Sequence, residues 1–209
     1  MKKPNLILLG AGGHAQACID VIEQEGKFNI AGLVGLPDEV GMSRGKYEVL
    51  ASDDDLPSLL SQCQFAIVSL GQINSPKNRI RLYERAVEIG FQLPTIISPR
   101  AYISPSATIG AGTIVMHGAI VNANATIASN CIINTRAVIE HDAKVLDNCH
   151  ISTGVIVNGN SKVGAGSFIG SGSLIKEDIS IGKNAVVGMG LTLRHNLPDD
   201  SKFLGYVTS

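Results

Sequence analysis

The densest run of side chains able to do chemistry is Glu140-His141-Asp142, with His150 nine residues beyond the first histidine. An imidazole held by a carboxylate keeps one ring nitrogen protonated and leaves the other as a base, and the carboxylate favours the charged ring. Such a pair can take a proton from an attacking amine or hydroxyl. A surface His-Asp pair can equally be merely solvated, so its surroundings decide between the two. His117 is followed by Gly118 rather than an acid, and His195 lies beyond the regular part of the chain. Neither is assigned a role.

The element that must position His141 is a repeat of six. Stepping from residue 97 to residue 193 in sixes meets only branched aliphatics, among them Val115, Val121, Ile127, Ile133, Ile139, Val145, Ile151, Val157, Val163 and Ile169. Four residues after most of them stands something small, such as Ala119, Ala125, Cys131, Ala137, Ala143, Cys149 or Ser161. A period of six fits neither an amphipathic helix nor an alternating strand. It marks a hexapeptide-repeat solenoid, a three-sided prism in which residues eighteen apart lie above one another. The aliphatic fills the interior and the small residue packs beside it, which explains Cys131 and Cys149 as packing residues, not nucleophiles. His141 follows an inward aliphatic by two, so it projects near a corner. Eighteen residues later stands Gly159, whose missing side chain leaves room beside the base.

Ahead of the repeat the pattern is α/β. Strands are expected at 6–9, 30–34 and 65–70, with helices at 15–25 and 78–89 and a short one behind Ser52-Asp53-Asp54-Asp55. The apolar faces read as Ala15, Cys18, Ile19 and Ile22 on the first helix, and Ile80, Tyr83 and Val87 on the last. These elements imply a small Rossmann-like domain over residues 1–94 and a solenoid domain over 95–209. The first strand ends in Gly10-Ala11-Gly12-Gly13-His14, where backbone N–H groups and a helix dipole can meet a phosphate. A tight turn using glycine for close packing is the other explanation, and His14 is either near a ligand or simply a helix-start residue. Val34-Gly35-Leu36 stands where a dinucleotide site places its ribose-binding carboxylate, which argues against redox NAD binding.

Composition narrows the class further. The chain has 209 residues, 23 glycines, no tryptophan and a formal net charge of −1 without basic clusters, so nucleic acid is not an expected partner. No apolar run approaches the roughly 20 residues that cross a bilayer, and the first apolar run is too brief for a secretory signal. The four cysteines show no ligand spacing, so no metal is expected and the thiols read as reduced and cytoplasmic.

The chain resembles the left-handed β-helix acyltransferases of bacterial sugar biosynthesis, the PglD/NeuD-like family. The resemblance spans essentially the whole chain. It rests on Gly10-Ala11-Gly12-Gly13-His14, Ser98-Pro99-Arg100-Ala101, Ile133-Asn134-Thr135 with Ile139-Glu140-His141-Asp142, His150-Ile151-Ser152, and Val157-x-Gly159 with Val163-Gly164. It implies direct acetyl transfer from acetyl-CoA to the amino group of a nucleotide-linked amino sugar, of the UDP-4-amino-sugar type, for surface glycan synthesis. It further implies a homotrimer with active sites between neighbouring coils. By resemblance His141 is the general base and Asp142 supports it. His150 helps position or polarise the acetyl carbonyl, and Gly159, Ser171 and Met189 join it in binding acetyl-CoA. Gly12, Gly13, His14, Gly71, Arg79 and Asn134 match substrate-contacting positions. Two departures stand out. The adjacent acids that follow the second strand in uridine-sugar binders are missing, and Gly205-Tyr206-Val207-Thr208-Ser209 lacks the usual Gly-x-Pro-Ala ending. An O-acetyltransferase acting on a sialic-acid-like sugar would use the same machinery on a hydroxyl. A non-catalytic solenoid that binds a nucleotide sugar would leave His141, Asp142 and Gly159 unexplained together.

Overall fold

Continuous apolar runs flanked by glycine favour buried parallel strands. The N-terminal part of the chain follows that rule in the computed structural model, which describes residues 3–205. Residues 206–209, where the unusual chain ending falls, lie outside the described residues. The chain divides into two compact units, Met1–Gly71 with Lys77–Pro99, and Gln72–Pro76 with Arg100–Ser209.

In the first unit β1 (Asn5–Leu9) lies between β2 (Asn29–Gly35) and β5 (Phe65–Val68), all parallel. The sheet continues from β2 to β4 (Tyr47–Ser52), which pairs antiparallel with the two-residue β3 (Ser43–Arg44). The first helix, α1 (Gly13–Glu25), starts two residues earlier than expected and ends at Gly26, whose φ of 70° lets its N–H reach the Ile22 carbonyl at 3.0 Å. α1 buries Ala15, Cys18, Val21 and Ile22, while Ile19 is only half-buried. A short α2 (Leu56–Leu59) follows the acidic cluster, where Ser52 donates both its backbone N–H and its hydroxyl to Asp55 Oδ2, at 3.1 and 2.7 Å.

α3 (Lys77–Ile89) corrects the expected face. It buries Arg79, Leu82 and Ala86, one residue round from Ile80, Tyr83 and Val87, and Val87 is half exposed. Each residue turns the helix by about 100°, so a face chosen by hydrophobicity misses one led by an arginine. Arg79 is held inside because its guanidinium donates to the Leu70 carbonyl at 2.8 Å. The core of this unit gathers Ile7, Leu9, Val34, Leu56, Val68, Leu82 and Phe91.

The second unit is the solenoid. Two-residue strands recur every six residues and form three parallel sheets. One face stacks Tyr102–Ile103, Ile120–Val121, Val138–Ile139, Ile156–Val157, Leu174–Ile175 and Thr192–Leu193. Register is eighteen as far as Leu193: Ile120 pairs with Val138, Val138 with Ile156 and Ile156 with Leu174; the last pairing, Val186 with Lys202, shortens to sixteen. This is the left-handed parallel β-helix that the repeat implied. The inward aliphatics from Val115 onward are buried, and those of the first turn, Ile103 and Ile109, are half-buried.

The small column also carries hydrogen bonds. Ser161, Ser167 and Ser173 donate their hydroxyls to the carbonyls of Lys176, Gly182 and Gly188, each fifteen residues on, at 2.6–2.8 Å. The thiols of Cys131 and Cys149 make the same fifteen-residue bond to Leu146 and Gly164, both at 3.1 Å. Burial pushes the Cys149 thiol well above the usual range, so it stays protonated and acts as a packing group. Among the described residues no helix is long and apolar enough to cross a membrane.

Outward side chains differ from face to face. On the face of Val138 they are Tyr102, Ile120, Val138, Ile156 and Leu174, and the first, second and fifth of these are exposed. On the next they are Thr108, Thr126, Lys144, Lys162 and Ser180, all exposed. Replacing Ile151, fully buried between Ile133 and Ile169, with alanine is expected to lower unfolding free energy by about 2–5 kcal/mol. Lys144→Ala is expected to change it by no more than about 0.5 kcal/mol. Denaturant melts of both variants check the pair.

Candidate active site

The solenoid corner after Val138–Ile139 builds the first part of the site. Ile139 and Ala143 point inward, and the three residues between them must turn outward. Asp142 takes a left-handed conformation, φ 60°, which asparagine and aspartate tolerate better than most residues. Its carboxylate accepts the His141 Nδ1–H, with Nδ1 to Oδ2 at 2.9 Å. That bond assigns the proton to Nδ1 and leaves Nε2 with its lone pair. Both side chains are open to solvent, His141 at 64% and Asp142 at 49%.

The charges around the pair act in one direction. The Asp142 hydrogen bond, aided by the fields of Asp142, Glu140 and Asp178, lifts the imidazole above its ordinary range. The His141 bond first, and the Asn124 amide second, hold the Asp142 carboxyl below the usual carboxylate range. Glu140 is itself tied down by the Asn122 amide at 2.9 Å.

Gly159 lies one turn over His141. A Cβ there would stand 2.7 Å from the ring Cε1 and 2.8 Å from Nε2, so any side chain at this position would displace the imidazole. The ring therefore rests on bare backbone, beside a cleft of about 340 Å3 lined by Glu140, His141, Asn158, Gly159, Asn160, Glu177 and Asp178.

Of the other expected acetyl-CoA residues, Ser171 and Met189 lie along the opposite edge of the same face, and His150 stands in a strand of the adjoining sheet. His150 is 7% exposed, and its Nδ1 donates to the Gln72 carbonyl at 2.6 Å. Its Nε2 then accepts from the Asn134 amide at 3.1 Å, while Asn134 Oδ1 takes the Thr135 N–H at 2.7 Å. Donors and acceptors run consistently along this chain, which sets both the amide orientation and the tautomer. The Gln72 side chain donates to the Gly166 carbonyl at 3.0 Å. Nothing in the pattern at Gln72 announced this role, because the residue it orients is 78 positions away. Ser171 Oγ is 2.9 Å from Ser152 Oγ, and Met189 is 80% exposed. Within one chain, then, His141, Asp142 and Gly159 come together at one edge, and Asn134 and Ser171 line the other, where His150 bonds to Asn134 from the adjoining sheet.

In the first unit the glycine-rich turn opens on a cavity of about 470 Å3, lined among others by Gly10, Ala11, Gly12, Gly35, Glu39, Asp53, Asn78 and Arg81. Gly12 caps α1 and Gly13 is its first residue. A Cβ on Gly71 would lie 3.6 Å from that of His14, so these two pack together at the helix start. Arg79 is buried beneath, on the Leu70 carbonyl.

One expectation is corrected here. An acid does reach the end of β2, supplied by Glu39 from a single-turn helix. Its Oε2 accepts the Leu36 N–H at 2.9 Å and its Oε1 pairs with Arg44 at 2.8 Å. Arg44 in turn donates to the Ala11 carbonyl at 2.7 Å. A Cβ on Gly35 would stand 2.7 Å from Glu39 Oε2, so the glycine that seemed to remove a carboxylate is what admits one. Among the described residues no group of three His, Cys, Asp or Glu side chains is placed to hold a metal ion.

Residues 5–86 match the family model of the PglD N-terminal domain, and residues 161–194 match the hexapeptide repeat of succinyl-transferase. A comparison with curated proteins finds no match. Among solved structures, perosamine N-acetyltransferase from Caulobacter crescentus, solved as its H141N variant in complex with CoA and GDP-perosamine, is 30% identical with a TM-score of 0.89. The alignment covers 96% of this chain and 93% of that one. The acetyltransferase domain of PglB from Neisseria gonorrhoeae, in complex with acetyl coenzyme A, is also 30% identical, with a TM-score of 0.88 over 96% of both chains. WeeI from Acinetobacter baumannii, at 21% identity, shares the fold with a TM-score of 0.85 over 96% of this chain and 97% of that one. With a small α/β unit, a hexapeptide solenoid and relatives of this similarity over nearly its full length, the chain belongs to the PglD/NeuD-like family of sugar N-acetyltransferases.

Proposed function

We propose that this enzyme moves the acetyl group of acetyl-CoA directly to the amine of a nucleotide-linked amino sugar, with His141 as general base. The observation that carries this reading is the His141–Asp142 pair lying on bare backbone at Gly159. The amine lone pair forms the new C–N bond at the thioester carbonyl. His141 Nε2 takes the N–H proton as that bond forms, and Asp142 stabilises the resulting imidazolium. When the C–S bond breaks, the sulfur leaves with the electron pair and receives a proton, giving CoA thiol and an N-acetyl sugar. The tetrahedral oxyanion needs a donor. Both nitrogens of His150 already bond to Gln72 and Asn134, so His150 positions the Asn134 amide, whose second N–H is the donor we assign to the acceptor or the acetyl oxygen.

The glycine-rich turn and the N-terminus of α1 suit the diphosphate of the sugar nucleotide, and Glu39 supplies a carboxylate to the same cavity. Gly12, Gly13, His14 and Gly71 surround the turn, and Arg79 holds it from beneath. Ser171 and Met189 line the pantetheine path in this reading, at the edge opposite Gly159.

The working form is a homotrimer. Its support is the apolar outward column of Tyr102, Ile120, Val138, Ile156 and Leu174, an exposed stripe of the kind that marks an interaction site. His141 stands at one edge of that face and Asn134 with Ser171 at the other, so a neighbouring copy can bring the missing half. The cytoplasm is the compartment proposed, in keeping with four buried unpaired cysteines.

Thiol release from acetyl-CoA with a panel of GDP-, UDP- and dTDP-linked 4-amino sugars tests the activity and selects the acceptor. His141→Ala is expected to lower kcat by about 10²–10⁴-fold with the KM for acetyl-CoA nearly unchanged, and wild-type turnover in this variant sinks the base assignment. Because Asp142 lifts the His141 pKa, kcat/KM is expected to fall as pH drops through a value above the ordinary imidazole range. Asp142→Ala removes that support, so the acid limb moves to lower pH while kcat also falls. Light scattering is expected to give three times the 21.9 kDa chain mass. An Ile120→Glu/Leu174→Glu double variant should be monomeric, folded and inactive; a trimer that survives this change places the interface elsewhere.

A further inference from the structure

Successive solenoid turns place one left-handed corner residue above another in the column Asn124, Asp142, Asn160 and Asp178, with φ between 57° and 60°. Positive φ suits glycine, asparagine and aspartate alike. In the corner column that precedes this face the same backbone need is met by Gly118, Arg136, Gly154 and Gly172. Conformation alone therefore does not call for an amide at position 124.

The Asn124 side chain has a specific partner. Its Nδ2 donates to Asp142 Oδ1 at 3.3 Å, while Oδ2 of the same carboxylate takes the His141 Nδ1–H at 2.9 Å. The Asn124 backbone N–H donates to Ser106 Oγ at 3.0 Å, which anchors it from the preceding turn. A half-exposed carboxylate on a solvated corner is otherwise able to rotate about its last bond. An NH₂ group only donates, so its bond to Oδ1 makes the two oxygens inequivalent and leaves Oδ2 for the ring.

We propose that Asn124 is a positioning residue for acetyl transfer, acting through Asp142 to hold the His141 ring with Nδ1 protonated and Nε2 facing the cleft. The inference rests on the reading of His141 as the base. The other charged groups that bear on the pair are Glu140 on the same turn, Asp178 two turns on, and Lys144 just after Asp142. Asn122 already ties down Glu140, and Asn160 ties down Asp178 at 2.8 Å. Asn124 is the amide that does the same for Asp142.

A double-variant cycle on the intact enzyme separates this role from a merely structural one. Asn124→Gly keeps the left-handed corner and deletes the amide. It is expected to lower kcat about five- to tenfold, the worth of one ordinary hydrogen bond, with both KM values unchanged. In an Asp142→Gly background the same change is expected to alter kcat less than about twofold, since the group it acts through is gone. An equal loss in both backgrounds assigns Asn124 to the corner alone and overturns the proposal, as does wild-type kcat in the single variant.

Asn124→Asp, equally suited to the corner, is the second variant should glycine loosen the turn. Its added negative charge favours the imidazolium, so the acid limb of kcat/KM is expected to move to higher pH with reduced kcat. An unchanged profile and kcat overturn the proposal. If His141→Ala keeps turnover, the base reading fails and this inference with it. If His141→Ala is inactive while the Asn124 variants behave as wild type, only the positioning role falls.

Discussion

The eighteen-residue parallel register of the solenoid is the constraint on which the site depends. Ile139 pairs with Val157, and that one ladder step sets Gly159 over the His141 ring. The same step in the other direction sets Asn124 against Asp142. An insertion of a single residue between 139 and 157 would move the glycine off the imidazole and break the ladder at once. The hydrogen bonds that hold the fold and the distances that hold the His141 ring are thus one set of interactions, which is why a surface-exposed pair can be rigid. A side chain on a flexible loop would lose that geometry.

The interior keeps the register true. Stacked Ile and Val fill the prism, and the small column behind them does more than fit. Its hydroxyls and thiols donate to carbonyls fifteen residues on, so polar groups in a buried column are satisfied rather than stranded. Alanine at the same slots packs without that bond. Serine and cysteine there are interchangeable in role because each offers one small donor, and burial keeps the Cys149 thiol protonated.

Two histidines in the same solenoid end up with opposite characters. His141 sits in solvent with one nitrogen on a carboxylate, and its attraction to negative charge lifts its pKa. His150 is buried against the edge of the Phe168 ring and bonds at both nitrogens to neutral groups. A carboxylate partner raises a ring's affinity for a proton; a carbonyl and an amide make it a spacer of fixed orientation. Gln72, from a short segment that belongs to the solenoid unit, decides which of these His150 becomes.

The solenoid was legible in the residues alone because its period is set by local covalent geometry: six residues per face, eighteen per turn, and an inward side chain at each stop. From that arithmetic the outward His141, its neighbour Asp142 and the vacancy at Gly159 follow without coordinates. The partners that set their electrostatics did not follow. Asn124 against Asp142 and Gln72 against His150 depend on which side-chain atoms meet across turns, and the hexapeptide pattern does not carry that information. In the α/β unit β1, β2 and β5 were readable from apolar runs, whereas β3 and β4, which carry no continuous apolar run, were not. The face of α3 was not, because Arg79 is buried by a carbonyl partner that hydrophobicity cannot register. Nor was the carboxylate at the end of β2, since Glu39 arrives there by a turn in the chain and not by its place in a motif. Periodicity determined the scaffold and the position of His141; long-range hydrogen bonds, which only tertiary packing creates, decided which groups orient it.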